Sequence, residues 1–263
     1  MCTLLILLRP GDPWPVILAG NRDEMEQRPW RAPGRHWPDL PEVTAGLDLL
    51  AGGSWMGIND HGLAAVVMNR SGTLGPAPGH RSRGTLVLRA LEHVGAAQAW
   101  DALRHLEPSA FRPFNLIVAD ALQALWIRND GTALVARTIP PGLHMLTARE
   151  LNDGTDPRIR AYLPRFRAAR IPNPDSGDWD PWSTLLGSRD TPLVPDPRSA
   201  MCFRTDTGFS TQCASLLALP ASPERDTLPI WLFAEGAPDQ VPFLPLNTLD
   251  NWGDADAETP NPH

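Results

Sequence analysis

The stretch SWMGINDHGLAAVVMN, residues 54–69, decides the fold class. Two apolar runs, SWMGI and LAAVVMN, flank Asn59, Asp60, His61 and Gly62. Asn, Asp and Gly are the residues that a tight hairpin turn requires, so the segment predicts two antiparallel strands. The same reading extends upstream, where 3–8 and 16–20 form a strand pair joined by the turn PGDPWP. Downstream it gives strands at FNLIVAD (114–120), ALWIRN (124–129), ALVARTI (133–139) and GLHMLTA (142–148). Two more follow at GFSTQCASLLAL (208–219) and LPIWLFAE (228–235). Helical spacing of Leu86, Leu88, Leu91 and Val94, then of Ala99, Leu103 and Leu106, predicts helices over 82–93 and 95–106. A third helix is expected over 156–170, capped by Asp156 with Pro157 in its first turn. Strands in hairpin-like pairs with helices grouped between them indicate an α+β chain of antiparallel sheets layered with helices. The Pro- and Asp-rich stretch 171–199 reads as an excursion with one short helix at DPWSTLLG. We expect one structural unit over 1–249 and a disordered acidic tail over 250–263.

Composition narrows the chemistry. The net charge of −7 and a pI near 5.5 argue against nucleic acid as a partner, because phosphate binding needs a basic footprint. All 23 basic residues are arginine, which removes every lysine-dependent mechanism. Cys2, Cys202 and Cys213 are odd in number and form no CxxC, so neither a disulfide framework nor a cysteine zinc site is implied. No histidine has a second one at ligand spacing, and no metal is expected. No segment approaches the roughly 18 apolar residues of a membrane span, and the N-terminal run lacks the basic flank of a signal peptide. A cytoplasmic protein is the expectation.

Cys2 is the first candidate for chemistry. As a strand residue it is a small buried filler. Alternatively, removal of Met1 would leave the thiol beside a free α-amine; these titrate near 8.5 and 8, so the amine can take the thiol's proton. Position alone leaves both readings open. After the second strand comes NRDE, residues 21–24. If strand periodicity persists, Asn21 and Asp23 share one face, and Arg22 and Glu24 the other. A carboxylate there would orient a terminal ammonium. Asn69, at the end of the hairpin's second strand, carries an amide able to donate into an oxyanion hole or simply to end a strand.

These pieces together resemble the NRDE family, also called the transport and Golgi organisation family. The resemblance rests on Cys2, on NRDE, and on AGLDLLAGGSWMGIND (45–60) with GLAAVVMNRSG (62–72). It is clear over residues 1–70, and GLHMLTA, GFSTQCASLLAL and LPIWLFAEGAP are similar to later strands of the family. That family resembles N-terminal nucleophile hydrolases of the bile-salt hydrolase and penicillin V acylase type, which implies a four-layer αββα sandwich. By that resemblance Cys2 is the nucleophile with its α-amine as base, Asp23 orients the amine, and Asn69 donates to the oxyanion. Asn21, Arg22 and Gln212 are the candidate binding side chains. Three positions depart from the pattern. Gly20 stands where the acylase relatives carry arginine, Thr147-Ala148 where many family members carry Ser-Asn, and Gln212 where relatives often carry arginine. Asn152 is a candidate replacement for the lost polar residue. The 28–41 segment, with Arg28, Trp30, Arg31, Arg35, His36 and Trp37, reads equally as a lid or an exposed loop.

The expectation is therefore a cysteine amidohydrolase that transfers an acyl group from a small amide or thioester to water, with no cofactor. The alternative is a carrier of haem or of an acyl-CoA or lipid on the same fold. Haem would take Cys2, His61 or His144 as axial ligand, and acyl-CoA phosphates would fall to the Arg28–Arg35 loop.

Overall fold

The computed structural model describes residues 2–222 and 227–246; the expected tail at 250–263 lies outside them. The first sheet is built from β1 (Thr3–Leu8), β2 (Val16–Met25), β10 (Gly142–Leu146), β11 (Phe209–Leu219), β12 (Ile230–Ala234) and β13 (Leu244–Pro245). Their spatial order is β10-β1-β2-β11-β12-β13. The second sheet runs in sequence order through β3 (Trp30–Gly34), β4 (Val43–Asp48), β5 (Met56–Asn59), β6 (Ala64–Asn69), β7 (Phe114–Ala119), β8 (Ala124–Asn129) and β9 (Leu134–Thr138). All pairings between these strands are antiparallel.

The predicted hairpin is β5–β6, with Met56 opposite Val66 and Ile58 opposite Ala64. Asn59 holds its turn: its Oδ1 accepts from the His61 and Leu63 amides, and its Nδ2 donates to the Leu91 and His93 carbonyls. One side chain thus fixes the turn and ties it to the helix layer.

Burial separates the layers. Between the sheets, Leu4, Ile6 and Leu18 meet Met56, Ile58, Val66 and Ile117. Outside the first sheet, Leu5, Leu7, Ile17 and Ala19 pack on α3 (Pro157–Ala168) and α4 (Trp182–Leu186) through Ile159, Tyr162, Phe166 and Trp182. Outside the second, Ala65, Val67, Leu116 and Val118 pack on α1 (Gly84–Leu91) and α2 (Ala96–Leu103). The order is helices, sheet, sheet, helices. Every residue of β1 is buried because both faces are covered, which is why its sequence runs apolar without alternating.

Helix boundaries fall one to three residues inside the expected ones, and Asp156 caps α3 by accepting from the Arg158 and Ile159 amides. Three differences from the sequence reading matter for the site. β2 does not end at residue 20 but continues through the charged segment to Met25. Residues 30–34 of the expected loop form edge strand β3, with Trp30 packed edge-on against Trp55 and Phe233. The chain 45–53, also unassigned, begins inside β4.

Close backbone contact fixes α1 against the second sheet. A Cβ on Gly53 would lie 2.6 Å from the Gly84 carbonyl carbon, and one on Gly84 would lie 2.9 Å from the Ser54 nitrogen. The Ser54 amide donates to the Gly84 carbonyl across this contact. The Gly-Gly-Ser block is therefore the seat of the helix start.

Candidate active site

Cys2 precedes the first paired residue of β1, where Thr3 lies opposite Asn21. Alternation along the two strands then sorts the side chains. Thr3, Asn21 and Asp23 turn to the helix layer, whereas Cys2 and Arg22 turn to the cleft between the sheets. The Cys2 thiol donates to the Asp23 carbonyl oxygen at 3.7 Å. Burial, then the Asp23 carboxylate, push the thiol above its ordinary range, while Arg22 pulls the other way. A thiol so placed stays protonated near neutrality and needs a base to become a nucleophile.

Asp23 is buried behind the cysteine. Its carboxylate takes a salt bridge from Arg158 at 3.0 Å and a hydrogen bond from the Thr211 hydroxyl at 2.8 Å. Arg158, equally buried, also donates to the Thr3 hydroxyl and the Arg198 carbonyl and lies 5.2 Å over the Phe203 ring. Arg158 was not foreseen from the sequence. The available signal was an arginine on the apolar stripe of α3, since Arg158 and Tyr162 stand one turn apart and both are buried.

Two cavities meet at the cysteine, and Cys2, Asp23 and Asn69 line both. One, of about 310 Å³, runs toward β6 and the start of α1 and is walled by Arg22, Arg28, Arg81, Arg83 and Arg112. The other, of about 820 Å³, opens between the 69–74 turn, Ala148 and the 194–209 segment. Asn69 sits half-buried at the end of β6, on their shared wall.

The remaining candidates separate. Arg22 faces the cleft, with its guanidinium 4.5 Å over the Trp55 ring. Asn21 does not: its amide donates to the Leu186 and Met201 carbonyls behind the sheet, because the strand carries it to the opposite face. Gln212 is the extra residue at a register shift in β11, donates to the Ser210 hydroxyl, and lines neither cavity. Asn152 is engaged with β10, accepting from the Met145 amide and bonding His144 Nδ1. Thr147 is buried and donates to Asp156, whereas Ala148 lines the larger cavity. Gly20 has a steric reason: a Cβ there would lie 2.7 Å from the Thr3 carbonyl oxygen, so no side chain fits. Of the 28–41 segment, Arg28 reaches the smaller cavity, pairing with Asp48, while Arg35 pairs with Asp60 elsewhere. His61 lies on the hairpin turn beside Glu42, and His144 bonds the Pro140 carbonyl; neither lines the cavities at Cys2. Among the described residues no three His, Cys, Asp or Glu side chains group as a metal site, and no helix is long and apolar enough to cross a membrane.

The chain has relatives in both sequence and shape. It is 37% identical over 134 residues to the Transport and Golgi organization protein 2 homolog of Bos taurus, a match covering 44% of this chain and 45% of the bovine protein. The match therefore spans just under half the length of that relative. Among solved structures, a Caenorhabditis elegans ortholog of N-acylethanolamine-hydrolyzing acid amidase superposes with a TM-score of 0.54 at 14% identity, covering 86% of this chain and 95% of that one. A conjugated bile acid hydrolase variant from Clostridium perfringens gives 0.52 at 14%, covering 95% and 94%. At such identity the likeness is one of fold, and the fold is that of the N-terminal nucleophile hydrolases. Residues 1–170, well over half of the sequence, match the family described as Transport and Golgi organisation 2, and the chain belongs to that family.

Proposed function

We propose that this protein is an N-terminal cysteine hydrolase that transfers an acyl group from an amide or thioester to water. The observation that carries the reading is that Cys2, Asp23 and Asn69 are all among the residues lining both cavities that meet at the cysteine. Once Met1 is removed, the Cys2 α-amine takes the thiol proton, and the sulfur attacks the carbonyl carbon to form a C–S bond. The Asn69 amide donates to the oxygen as it becomes negative, a contribution of about 3 kcal/mol for donors of this kind. The α-ammonium returns its proton to the leaving amine or thiol as the C–N or C–S bond of the substrate breaks. Water, deprotonated by the same amine, then attacks the acyl-enzyme and releases the acid, restoring the thiol. Asp23, locked by Arg158 and Thr211, positions the amine and does not itself react.

Protein produced without an N-terminal tag should have the intact mass of the chain lacking Met1, and should hydrolyse members of a panel of N-acyl amides and acyl thioesters. Cys2→Ala should abolish turnover while leaving the thermal transition in place. Retained activity in Cys2→Ala overturns the proposal, and so does a chain that keeps Met1 with full activity. Saturable binding of acyl compounds without turnover by the trimmed protein would replace hydrolysis by the carrier reading.

A further inference from the structure

Acylation of Cys2 sets two nucleophiles against each other. In the acyl-enzyme the acyl carbon is bonded to Sγ, and the α-nitrogen that serves as base belongs to the same residue. Attack by that nitrogen closes a small ring, forms a C–N bond, breaks the C–S bond and moves the amine proton to sulfur. The product is an N-acyl cysteine with a free thiol, whose amide nitrogen no longer accepts a proton. A well-oriented intramolecular nucleophile has an effective concentration of about 10⁵–10⁸ M, far above that of water. Hydrolysis therefore requires a fold that holds the nitrogen off the acyl carbon.

The chain is clamped at this point from both strands. A single nitrogen, Nη1 of Arg158, donates to the Thr3 hydroxyl at 2.6 Å and to the Asp23 carboxylate at 3.0 Å. Thr3 follows Cys2 in the chain, and Asp23 lies two residues beyond the Thr3 partner Asn21 in β2. The Arg158 Nη2 donates to the Arg198 carbonyl at 2.7 Å, and Phe203 packs on the guanidinium, so the clamp is itself fixed. The second carboxylate oxygen accepts from the Thr211 hydroxyl, which in turn accepts from the Phe203 amide at 3.2 Å. Thr3, Asp23, Arg158 and Thr211 are all buried, where such charge-assisted bonds are strong and directional. The Cys2 sulfur bonds the backbone carbonyl of the same Asp23, so one aspartate meets the thiol through its backbone and the clamp through its side chain.

We propose that Arg158, acting through Asp23, is a positioning residue that decides where the acyl group goes: to water, and not to the amine of Cys2 itself. The inference rests on the hydrolytic reading for the acyl-enzyme. The Asp23 carboxylate turns to the helix layer and the thiol to the cleft, so an α-amine hydrogen bonded to the carboxylate draws the nitrogen away from the thioester. Arg158 and Thr211 fix the carboxylate in that place. Without them the nitrogen is free to swing onto the acyl carbon and end the cycle.

The test uses protein that begins at Cys2, the thiophenyl thioester of butyric acid, and mass spectrometry after hydroxylamine, which cleaves thioesters and leaves amides. Thiophenol released above the Cys2→Ala level counts acylations, and hydroxylamine-resistant mass on Cys2 counts transfers to nitrogen. Iodoacetamide then labels the thiol that each transfer sets free. The same chain unfolded in guanidinium should end almost wholly as the amide. Folded wild-type protein should send at least tenfold less of the consumed acyl group to nitrogen. Asp23→Asn and Arg158→Met should each raise that share at least tenfold over folded wild type, and Arg158→Lys, which keeps the charge, should raise it less. A merely structural role would slow acylation and leave the share unchanged. Where Arg158→Met does not fold, Thr211→Val carries the test with an expected rise of about threefold, since one bond to the carboxylate remains. A wild-type share equal to that of the unfolded chain, or folded variants equal to wild type, overturns the proposal and leaves hydrolysis standing. A wild-type thioester that persists without hydrolysis, yet passes to nitrogen in the variants, upholds the clamp and removes the hydrolytic reading. Thiophenol release no faster than with Cys2→Ala overturns both.

Discussion

Replacing Arg158 by Met tests how the Asp23 carboxylate behind Cys2 is held. The Arg158–Asp23 pair is buried at both ends, with side chains 2% and 0% exposed and an N–O distance of 3.0 Å. Methionine keeps the apolar stem against Phe203 but takes the positive charge away from a carboxylate sealed behind β2. Losing one partner of a buried pair costs about 3–5 kcal/mol. The Thr211 hydroxyl still donates to Asp23 and offsets part of this, so we expect about 3 kcal/mol. Against a total stability of about 5–15 kcal/mol, that moves the urea midpoint far outside error. Asp23→Asn alone leaves a buried guanidinium with the Thr3 hydroxyl and the Arg198 carbonyl still accepting, and should cost about 2 kcal/mol. The double variant removes both charges of the pair and should cost at least 1 kcal/mol less than the sum of the two. The assay is equilibrium urea denaturation of all four proteins with a common slope. Single losses below about 0.5 kcal/mol, or strict additivity, would refute the claim that this pair is a desolvated electrostatic unit.

Other expectations follow from the same geometry. On the proposed mechanism, Asn69→Ala should lower kcat by about 100-fold with little change in KM, since that reading gives its amide to the oxyanion; an equal rise in KM would place it in ground-state binding. Cys213 is buried and burial pushes its thiol up to about 12. The unfolded chain loses that proton near pH 8.5 and the folded chain keeps it, so this residue destabilises the fold progressively between about pH 8.5 and 12, by about 1.4 kcal/mol per pH unit. Cys213→Ala should flatten that alkaline limb in urea titrations, and an unchanged limb would contradict the burial argument. Gly20→Ala drives a Cβ against the Thr3 carbonyl and should lower the thermal midpoint by several degrees; wild-type stability would show that β1 and β2 have slack there.

How far the sequence could be read depends on the range of the interactions. The 54–69 hairpin was legible because Asn59 makes its turn from bonds to residues two and four positions away. Helix α3 was legible because Asp156 caps it locally. The β2 extension was hidden because charged residues normally end a strand. Here Arg22 is buried by stacking on Trp55, and Asp23 by pairing with a helix that begins more than 130 residues later. Strand β3 was hidden by Pro29 and Pro33. The second falls within the register shift against β4 on a sheet edge, where a missing N–H costs nothing. Of the residues lining the two cavities, Cys2, Asp23 and Asn69 had been singled out from the sequence, but not the arginine wall. Arg22, Arg83 and Arg112 come from three distant segments, and only the packing of α1 on the sheet unites them.

That packing also bears on how such a cavity can diversify. At its floor, Gly53 and Gly84 touch through backbone, so a side chain on either would lift the helix and spread the wall. At its mouth, Gly75 and Gly79 take left-handed backbone angles but have nothing within 4 Å of where a side chain would stand. Divergence that retunes ligand choice should therefore accumulate by insertion and exchange along the 72–80 lip. The glycine pair below it would change only together with a new resting place for α1.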